Sequence, residues 1–269
     1  MKFICTQENL TSGLSKVVPL AGRNTQLPIL QNILLELRDG VLHLTCTDLE
    51  IGVHTAVPGK IESDGGCTVV ARKFMEYIQQ LPTSHPLQLE LKDGSLHVDT
   101  QGFHAHFPTT SEDDFPLLPQ AAVSESITLQ ADVVCRGLTH TIFSAARDET
   151  RPEIHSVYMK CTGGEIRIAA TDSFRLTEEV INLEEEAAPF TFLLPLTTAQ
   201  EVVRLFNDQT TIEFLPQANH ITFQSENLTL SSRLIDGKYP DYQQIIAQSF
   251  VTTGQIEREV LLRALKSLL

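Results

Sequence analysis

The segment RPEIHSVYMKCTGGEIRIAATDSFRL, residues 151–176, carries a clear secondary-structure pattern. Apolar side chains alternate on both sides of Gly163-Gly164, which is the pattern of two antiparallel strands joined by a tight turn. The stretch ends in ATDSFRL (170–176), where an Asp-Ser pair interrupts the apolar alternation and indicates an exposed turn. The segment therefore predicts a β-hairpin that leads into a surface corner.

A second copy of this pattern lies 124 residues earlier, at LPILQNILLELRDGVLHLTCTD (27–48). The two copies align without a gap, and the aligned pairs include Pro28 with Pro152, Gly40 with Gly164, and Thr47-Asp48 with Thr171-Asp172. The same offset relates two helix-spaced sets upstream: Leu10, Gly13, Leu14, Val18 and Ala21 fall on Val134, Gly137, Leu138, Ile142 and Ala145. A repeat of this length indicates a duplicated domain rather than a short-period solenoid.

Each copy is predicted to fold as an α+β domain of two helices and about eight strands, with the helices packed on one face of antiparallel sheet. The predicted helices span 8–23, 72–81, 132–148 and 197–208. A third copy of the opening pattern, GQIEREVLLRALKSLL (254–269), predicts a short strand and the first turns of another helix. The expected domains are therefore 1–120, 121–247 and the start of a third over 248–269, with linkers at 116–123 and 241–250.

Composition places the chain among globular proteins. A length of 269 residues with 42% hydrophobic content suggests about two domains with sizeable cores. There is no apolar run long enough for a signal peptide or a membrane span. Five scattered cysteines without a Cys-x-x-Cys pair predict buried free thiols in a reducing compartment. We therefore expect a cytoplasmic protein without membrane partners.

The formal net charge of −14 argues at first against a nucleic-acid partner. The four predicted helices nevertheless carry seven basic and six acidic residues, a net charge of +1, so the rest of the chain carries −15. Two interpretations stay open. The helix charges are ordinary solvated faces, or they form a surface that tolerates phosphate while the outside of the protein repels it.

Enzymatic chemistry finds little support in the sequence. His104-x-His106 is a candidate metal pair, but alternate strand positions share a face in any strand and no third ligand accompanies them. P-loop, Gly-x-Gly-x-x-Gly and Gly-x-Ser-x-Gly motifs are absent from the sequence. The repeated acids Asp48 and Asp172 follow hairpins in both copies, which favours turn capping over catalysis. We expect no catalytic residue, metal or cofactor.

Several segments, spread in order along the chain, resemble the bacterial DNA polymerase III beta subunits, the β sliding clamps. They are MKF (1–3), AGRNTQLPIL (21–30), TDLE (47–50), VARKF (70–74), ATDSFRL (170–176) and SRLIDGKYPDY (232–242). Protomers of that family have three such domains, and two protomers close head to tail into a ring around duplex DNA. The resemblance implies repeated DNA-clamp domains, two complete copies and the start of a third, with most of the third domain absent.

The resemblance also implies a function and its sites. The expected function is that of a non-catalytic processivity factor of the DNA polymerase III holoenzyme. The expected partners are double-stranded DNA, a second protomer, and short peptides from the polymerase alpha subunit, the clamp loader and other polymerases. Arg23 matches the family loop that touches the DNA backbone, and the helix bases that would line the hole are Arg72, Lys73, Arg136, Arg147 and Arg204.

Two further sites follow from the resemblance. The peptide pocket comprises Ile154, Thr171, Ser173, Phe174, Arg175, Leu176, Pro240, Gln244 and Ile245. Phe174 departs from the His that is common at its place, which would make the pocket rim more apolar. The ring interface comprises Lys73, Tyr77, Ala105 and Phe107, on the second helix and the edge strand of the first domain.

A second class of function stays open, namely a peptide-binding scaffold or clamp fragment that never encircles DNA. The family completes both the pocket and the ring with third-domain residues. Without them we expect the chain to be mostly monomeric, with a frayed third-repeat helix and an unpaired edge strand, which is an aggregation liability. Retention on circular DNA would distinguish a clamp from a scaffold.

Overall fold

Both copies of the predicted hairpin are present in the computed structural model, which describes residues 1–24, 27–116, 118, 126–183, 185–247 and 249–268. The structure divides into two units, Met1–Lys238 and Tyr239–Leu269. The first unit contains both copies of the repeat, and its helices and antiparallel sheets confirm the α+β class. The predicted linker at 116–123 lies mostly outside the described residues.

The first copy contributes nine strands and two helices. The strands are β1 (Lys2–Cys5), β2 (Asn32–Arg38), β3 (Val41–Thr47), β4 (Ile51–Val57), β5 (Lys60–Ser63), β6 (Gly65–Val70), β7 (Leu87–Lys92), β8 (Ser95–Thr100) and β9 (Phe103–Pro108). The helices are α1 (Gln7–Val17) and α2 (Ala71–Gln80).

The second copy follows the same order with eight strands. They are β10 (Ile127–Gln130), β11 (Ser156–Cys161), β12 (Glu165–Thr171), β13 (Leu176–Asn182), β14 (Phe190–Pro195), β15 (Thr211–Pro216), β16 (His220–Ser225) and β17 (Leu228–Arg233). Its helices are α3 (Ala131–Ile142) and α4 (Leu196–Phe206). Strands β3 and β12 coincide at the offset of 124 residues that the repeat predicts.

The strands form three antiparallel sheets. Their orders are β5-β1-β7-β8-β9, β10-β15-β16-β17-β4-β3-β2-β6 and β13-β12-β11-β14. The eight-stranded sheet joins the two copies, because β17 pairs with β4 from Leu228 opposite Thr55 to Ser232 opposite Ile51. A continuous backbone ladder therefore crosses the joint between the repeats.

The two equivalent hairpins close with different turns. Asp39 and Gly40 both have positive φ, 52° and 81°, as a type I′ turn requires. In the second copy Gly163 has φ 94° and Gly164 does not have positive φ, which fits a type II′ turn. Both turn types match the twist of the flanking strands, so the change of turn leaves the hairpin register intact.

Two predicted helices end earlier in the structure than the apolar periodicity suggested. Helix α1 stops at Val17 instead of 23 and passes into a short 3-10 turn, because Pro19 has no N–H to continue the helical bonding. Helix α3 stops at Ile142 instead of 148. There the amide of Ala146 donates to the carbonyl of Ile154, 3.0 Å away, rather than to a helical carbonyl.

The second unit contains a short 3-10 helix at Tyr242–Ile245 and helix α5 at Arg258–Lys266. The short strand predicted at the start of the third copy is not formed, since residues 251–257 carry no strand. A strand needs a pairing partner, and none of the described strands pairs with this segment. No helix among the described residues is both long and apolar enough to cross a bilayer.

Candidate functional site

The corner that follows β12 is built by side chain to backbone hydrogen bonds. The Thr171 hydroxyl donates to the Arg175 carbonyl over 2.7 Å and accepts from the Ser173 amide over 3.1 Å. The Asp172 carboxylate accepts from the Phe174 and Arg175 amides, each at 3.0 Å. Ser173 has φ 76°, in the left-handed region that non-glycine residues rarely adopt. These bonds hold the corner, residues 171–176, in one conformation.

The first copy has the same turn, which explains the repeated acids. The Asp48 carboxylate accepts from the Ile51 amide at 2.7 Å and from the Glu50 amide at 3.0 Å, and Leu49 has φ 78°. The Thr47 hydroxyl donates to the Ile51 carbonyl at 2.9 Å. The prediction that Asp48 and Asp172 cap turns is therefore confirmed.

The corner presents an aromatic and a cationic group to solvent. The side chain of Phe174 is 97% exposed, and that of Phe143, just past the end of α3, is 58% exposed. The Arg175 guanidinium lies 5.8 Å from the centroid of the Phe143 ring, a cation–π distance, and pairs with Asp172 at 3.0 Å. Phe143 was not predicted as a site residue, because a helix-spaced position next to buried Ala145 gives no sign of exposure in the sequence.

Electrostatics stabilise the charged form of the corner carboxylate. The Phe174 amide first, then the Arg175 amide and guanidinium, hold the pKa of Asp172 below its ordinary value. Hydrogen bonds to an ionised carboxylate favour that ionised form. The turn is therefore at its strongest when Asp172 is deprotonated.

The remaining residues of the predicted peptide pocket fall in both units. Ile154 is buried and Leu176 is half-buried in the first unit. Pro240, Gln244 and Ile245 belong to the second unit. There Ile245 is exposed, and the Gln244 amide donates to Asp241 over 2.7 Å.

Four of the six predicted DNA-contacting bases lie exposed on or beside helices. Arg72 and Lys73 are in the first turn of α2, and Arg136 is in the middle of α3. Arg147 follows α3 in the connection to β11. Their side chains are available to a polyanion.

The other two bases, Arg23 and Arg204, meet at a buried acid that was not predicted. Glu201 on α4 is only 5% exposed. Its carboxylate bonds to Arg23 Nη2 at 2.5 Å and to Arg204 Nη2 at 2.7 Å. The three side chains connect the end of the first copy's α1 region to α4 of the second copy. We call them the Glu201 triad.

The residues of the predicted ring interface lie on the edge strand β9 of the five-stranded sheet and on helix α2. Strand β9 is the outer strand of that sheet, with Ala105 opposite Val98 of β8. The Phe107 ring packs edge-on against Phe74 and Tyr77 of α2, with centroids 5.3 and 5.6 Å away. Lys73 is exposed on the same helix. Helix α2 and the edge strand thus form one continuous surface.

Two of the histidine contacts in the described part of the chain involve residues of neighbouring strands. His104 Nδ1 lies 2.7 Å from Asp99, and no group of three potential metal ligands occurs among the described residues. A second pair, His43 and His54, is in hydrogen-bond contact at 3.1 Å on neighbouring strands. Burial, followed by the charges of His43 and Arg38, lowers the pKa of His54 to about 4, and burial also lowers the pKa of His43 below its ordinary value.

Comparisons with known proteins extend along nearly the whole chain. The family model "DNA polymerase III beta subunit, N-terminal domain" matches residues 1–119, and the model for the central domain of that subunit matches residues 128–241. A beta sliding clamp of Salmonella typhimurium is 30% identical, over 93% of this chain and 69% of the relative. That of Synechococcus elongatus is 29% identical, over 99% and 73% respectively.

Solved structures with similar folds come from the same family. The DNA polymerase III subunit beta of Pseudomonas aeruginosa matches with a TM-score of 0.88 at 26% identity, over 93% of this chain and 69% of that chain. The DNA polymerase sliding clamp of Bacillus subtilis matches with a TM-score of 0.88 at 25% identity, over 93% and 68%.

Proposed function

The chain belongs to the DNA polymerase III beta subunit family, and from this we propose that it is a DNA sliding clamp, a processivity factor that encircles duplex DNA. The observation that carries the proposal is the pair of clamp repeats, present in the family's order and joined through one eight-stranded sheet. A clamp needs no reaction chemistry of its own. It holds DNA by topology, and the polymerase that it tethers performs the synthesis.

The distribution of charge suits a protein that slides. Phosphate contacts supply sequence-independent affinity, and each contact makes binding weaker as salt rises. A net charge of −14 limits that affinity, while exposed bases on and beside the helices, such as Arg72 and Arg136, give the duplex a tolerable surface. We assign the DNA-facing role to Arg23, Arg72, Lys73, Arg136, Arg147 and Arg204.

The corner is the proposed docking site for partner peptides. Short peptides bind where an apolar surface is combined with a few fixed polar groups. The corner has exposed Phe174 beside the fixed cation of Arg175, with Leu176 half-buried next to them. The proposed occupants are motifs from the polymerase alpha subunit, the clamp loader and other polymerases, all in the cytoplasm. Pro240, Gln244 and Ile245 of the second unit are assigned to the same function.

We further propose the domain division 1–120, 121–247 and 248–269, with Lys73, Tyr77, Ala105 and Phe107 as the self-association surface. An edge strand beside an exposed helix face offers both backbone and side-chain contacts to another protomer. Light scattering over a range of concentrations measures whether this surface self-associates, and a monomer at every concentration would contradict the assignment.

The function is tested by topological retention. The chain is loaded onto nicked circular duplex DNA with a bacterial clamp loader and ATP, and the mixture is passed through a sizing column. A clamp co-elutes with the circle and is lost when the circle is cut once. Failure to co-elute, combined with retained binding of a polymerase peptide, would favour a scaffold that does not encircle DNA.

A further inference from the structure

The Glu201 triad places two positive charges against one buried negative charge. Glu201 Oε1 bonds to Arg23 Nη2, and Glu201 Oε2 bonds to Arg204 Nε at 2.8 Å as well as to its Nη2. A buried carboxylate must be paired and hydrogen-bonded to be tolerated, and both of its oxygens are satisfied here. The triad as a whole carries one net positive charge.

The Arg204 guanidinium is hydrogen-bonded to the C-terminal end of α1. Its Nη2 donates to the Lys16 carbonyl at 2.7 Å and its Nη1 to the Ser15 carbonyl at 3.2 Å. The Ser15 carbonyl would normally receive the amide four residues on, but that residue is Pro19, which has no N–H. Arg204 therefore supplies the donor that Pro19 cannot, and its cation faces the negative end of the helix. Its contribution to the proposed DNA-facing surface is therefore smaller than that of Arg23.

Arg23 is held differently. Its Nε donates to the Pro19 carbonyl at 3.1 Å and its Nη2 to Glu201, while its Nη1 makes no hydrogen bond to the described residues. The side chain is 35% exposed. Arg23 is thus fixed at its base and keeps one open edge toward solvent.

We propose that Glu201 is a positioning residue that holds Arg23 at the joint between the two repeats and cancels one of the two guanidinium charges there. A phosphate passing this point meets one net positive charge instead of two. This inference rests on the proposed function, because it assumes that the joint faces DNA. Its consequence is weaker binding at this point, which favours sliding over static attachment.

The test is the salt dependence of binding to a short linear duplex, followed by fluorescence anisotropy. Glu201→Gln keeps the shape and removes the negative charge. Glu226→Gln, at an exposed turn between β16 and β17, makes the same change in net charge away from the triad. Arg23→Ala and the double variant Arg23→Ala/Glu201→Gln complete the set. Circular dichroism melting establishes that each variant is folded at the assay temperature.

The expected result is a change in slope rather than a uniform shift. Unmasking one charge steepens the plot of log affinity against log salt by about 0.9, so a fourfold rise in salt costs Glu201→Gln about 3.5-fold more affinity than the wild type. The Glu226→Gln control keeps the wild-type slope. Adding Arg23→Ala to Glu201→Gln removes the extra slope, because the unmasked charge belongs to Arg23.

Two outcomes would overturn the inference while leaving the clamp intact. One is a slope for Glu201→Gln equal to that of Glu226→Gln. The other is a slope for Arg23→Ala equal to that of the wild type. Because Arg23 is at an exposed site, this measurement remains possible even if Glu201→Gln does not fold. The proposed function fails separately, if the wild-type protein is not retained on nicked circular DNA, so the two failures are distinguishable.

Discussion

Two equivalent glycines lie where a helix packs closely on a sheet. The change in stability caused by Gly→Ala can be compared between the two positions. Gly13 of α1 and Gly137 of α3 are related by the offset of 124 residues, and each is where its helix meets the sheet. A Cβ at Gly13 would overlap Val57 Cγ2 and lie 3.0 Å from Leu44 Cδ1. A Cβ at Gly137 would lie 2.9 Å from Ile168 Cδ1.

The expected energies differ because the obstructing atoms differ. Gly to Ala inside a helix gains about 1 kcal/mol of helix propensity. Overpacking costs about 1–3 kcal/mol when the neighbour cannot move. Val57 is β-branched, short and fixed in its strand, so Gly13→Ala must displace the helix. The overpacking cost should therefore fall in the upper part of its range, about 2–3 kcal/mol, which leaves a net loss of about 1–2 kcal/mol. Near Gly137 the obstructing atom is the flexible end of an isoleucine, so Gly137→Ala is expected within about 0.5 kcal/mol of the wild type.

Thermal unfolding measures the difference. For a unit of this size, 1 kcal/mol corresponds to about 2–4 °C in Tm, so Gly13→Ala should lower Tm by about 2–8 °C. Ser12→Ala, at an exposed position of the same helix, controls for propensity alone. If Gly13→Ala melts at or above the temperature of Gly137→Ala, the packing argument is refuted.

Three further outcomes are expected. Backbone N–H donors, Phe174 first, depress the pKa of Asp172 below 3.8, so the corner should keep its full stability above that pH and lose it as pH falls through the lower folded pKa. Hydrogen exchange of the corner amides follows this, and Asp172→Asn should abolish the pH dependence. Burial raises the pKa of the thiols of Cys5 and Cys67 to about 12, so neither should react with a disulfide reagent in mildly alkaline buffer until denaturant is added, and prompt reaction would show them to be accessible. Phe107→Ala should cost about 2 kcal/mol in urea unfolding through loss of its aromatic contacts, and a loss below about 0.5 kcal/mol would contradict that packing.

Much of the fold was predictable because its signals are local and occur twice. Hydrophobic periodicity and turn chemistry predict the hairpins around Gly40 and Gly163, the corner turns and the helix starts. Each of these elements occurs in both copies, which supports its prediction. Strand β5 was missed because Lys60–Ser63 is short and charged, without the alternation of a half-buried strand. The predicted end of α1 at residue 23 was wrong, and Pro19 is the sequence signal for the earlier end at Val17.

The candidate site was predictable only where a motif carries it. The segment ATDSFRL marks the corner, and the geometry of Asp172 follows from its turn chemistry. The Glu201 triad joins residues 178 positions apart, and no local pattern links Arg23 to Glu201. Likewise, the exposure of Phe143 depends on where α3 ends, which tertiary contacts decide. Long-range pairing and helix termini are the parts that periodicity does not determine.

The pairing of β4 with β17 joins two strands that the ribosome synthesises at well-separated times. Strand β4 ends at Val57 and β17 ends at Arg233, which is 176 residues later. At about 5–20 residues per second, the ribosome needs about 9–35 s to deliver the partner strand. During that interval the edge of β4 is open, and an open edge is a template for wrong pairing. The first repeat must therefore survive as an incomplete sheet, and the slowest step in folding is expected to be the closure of this joint rather than the formation of either repeat.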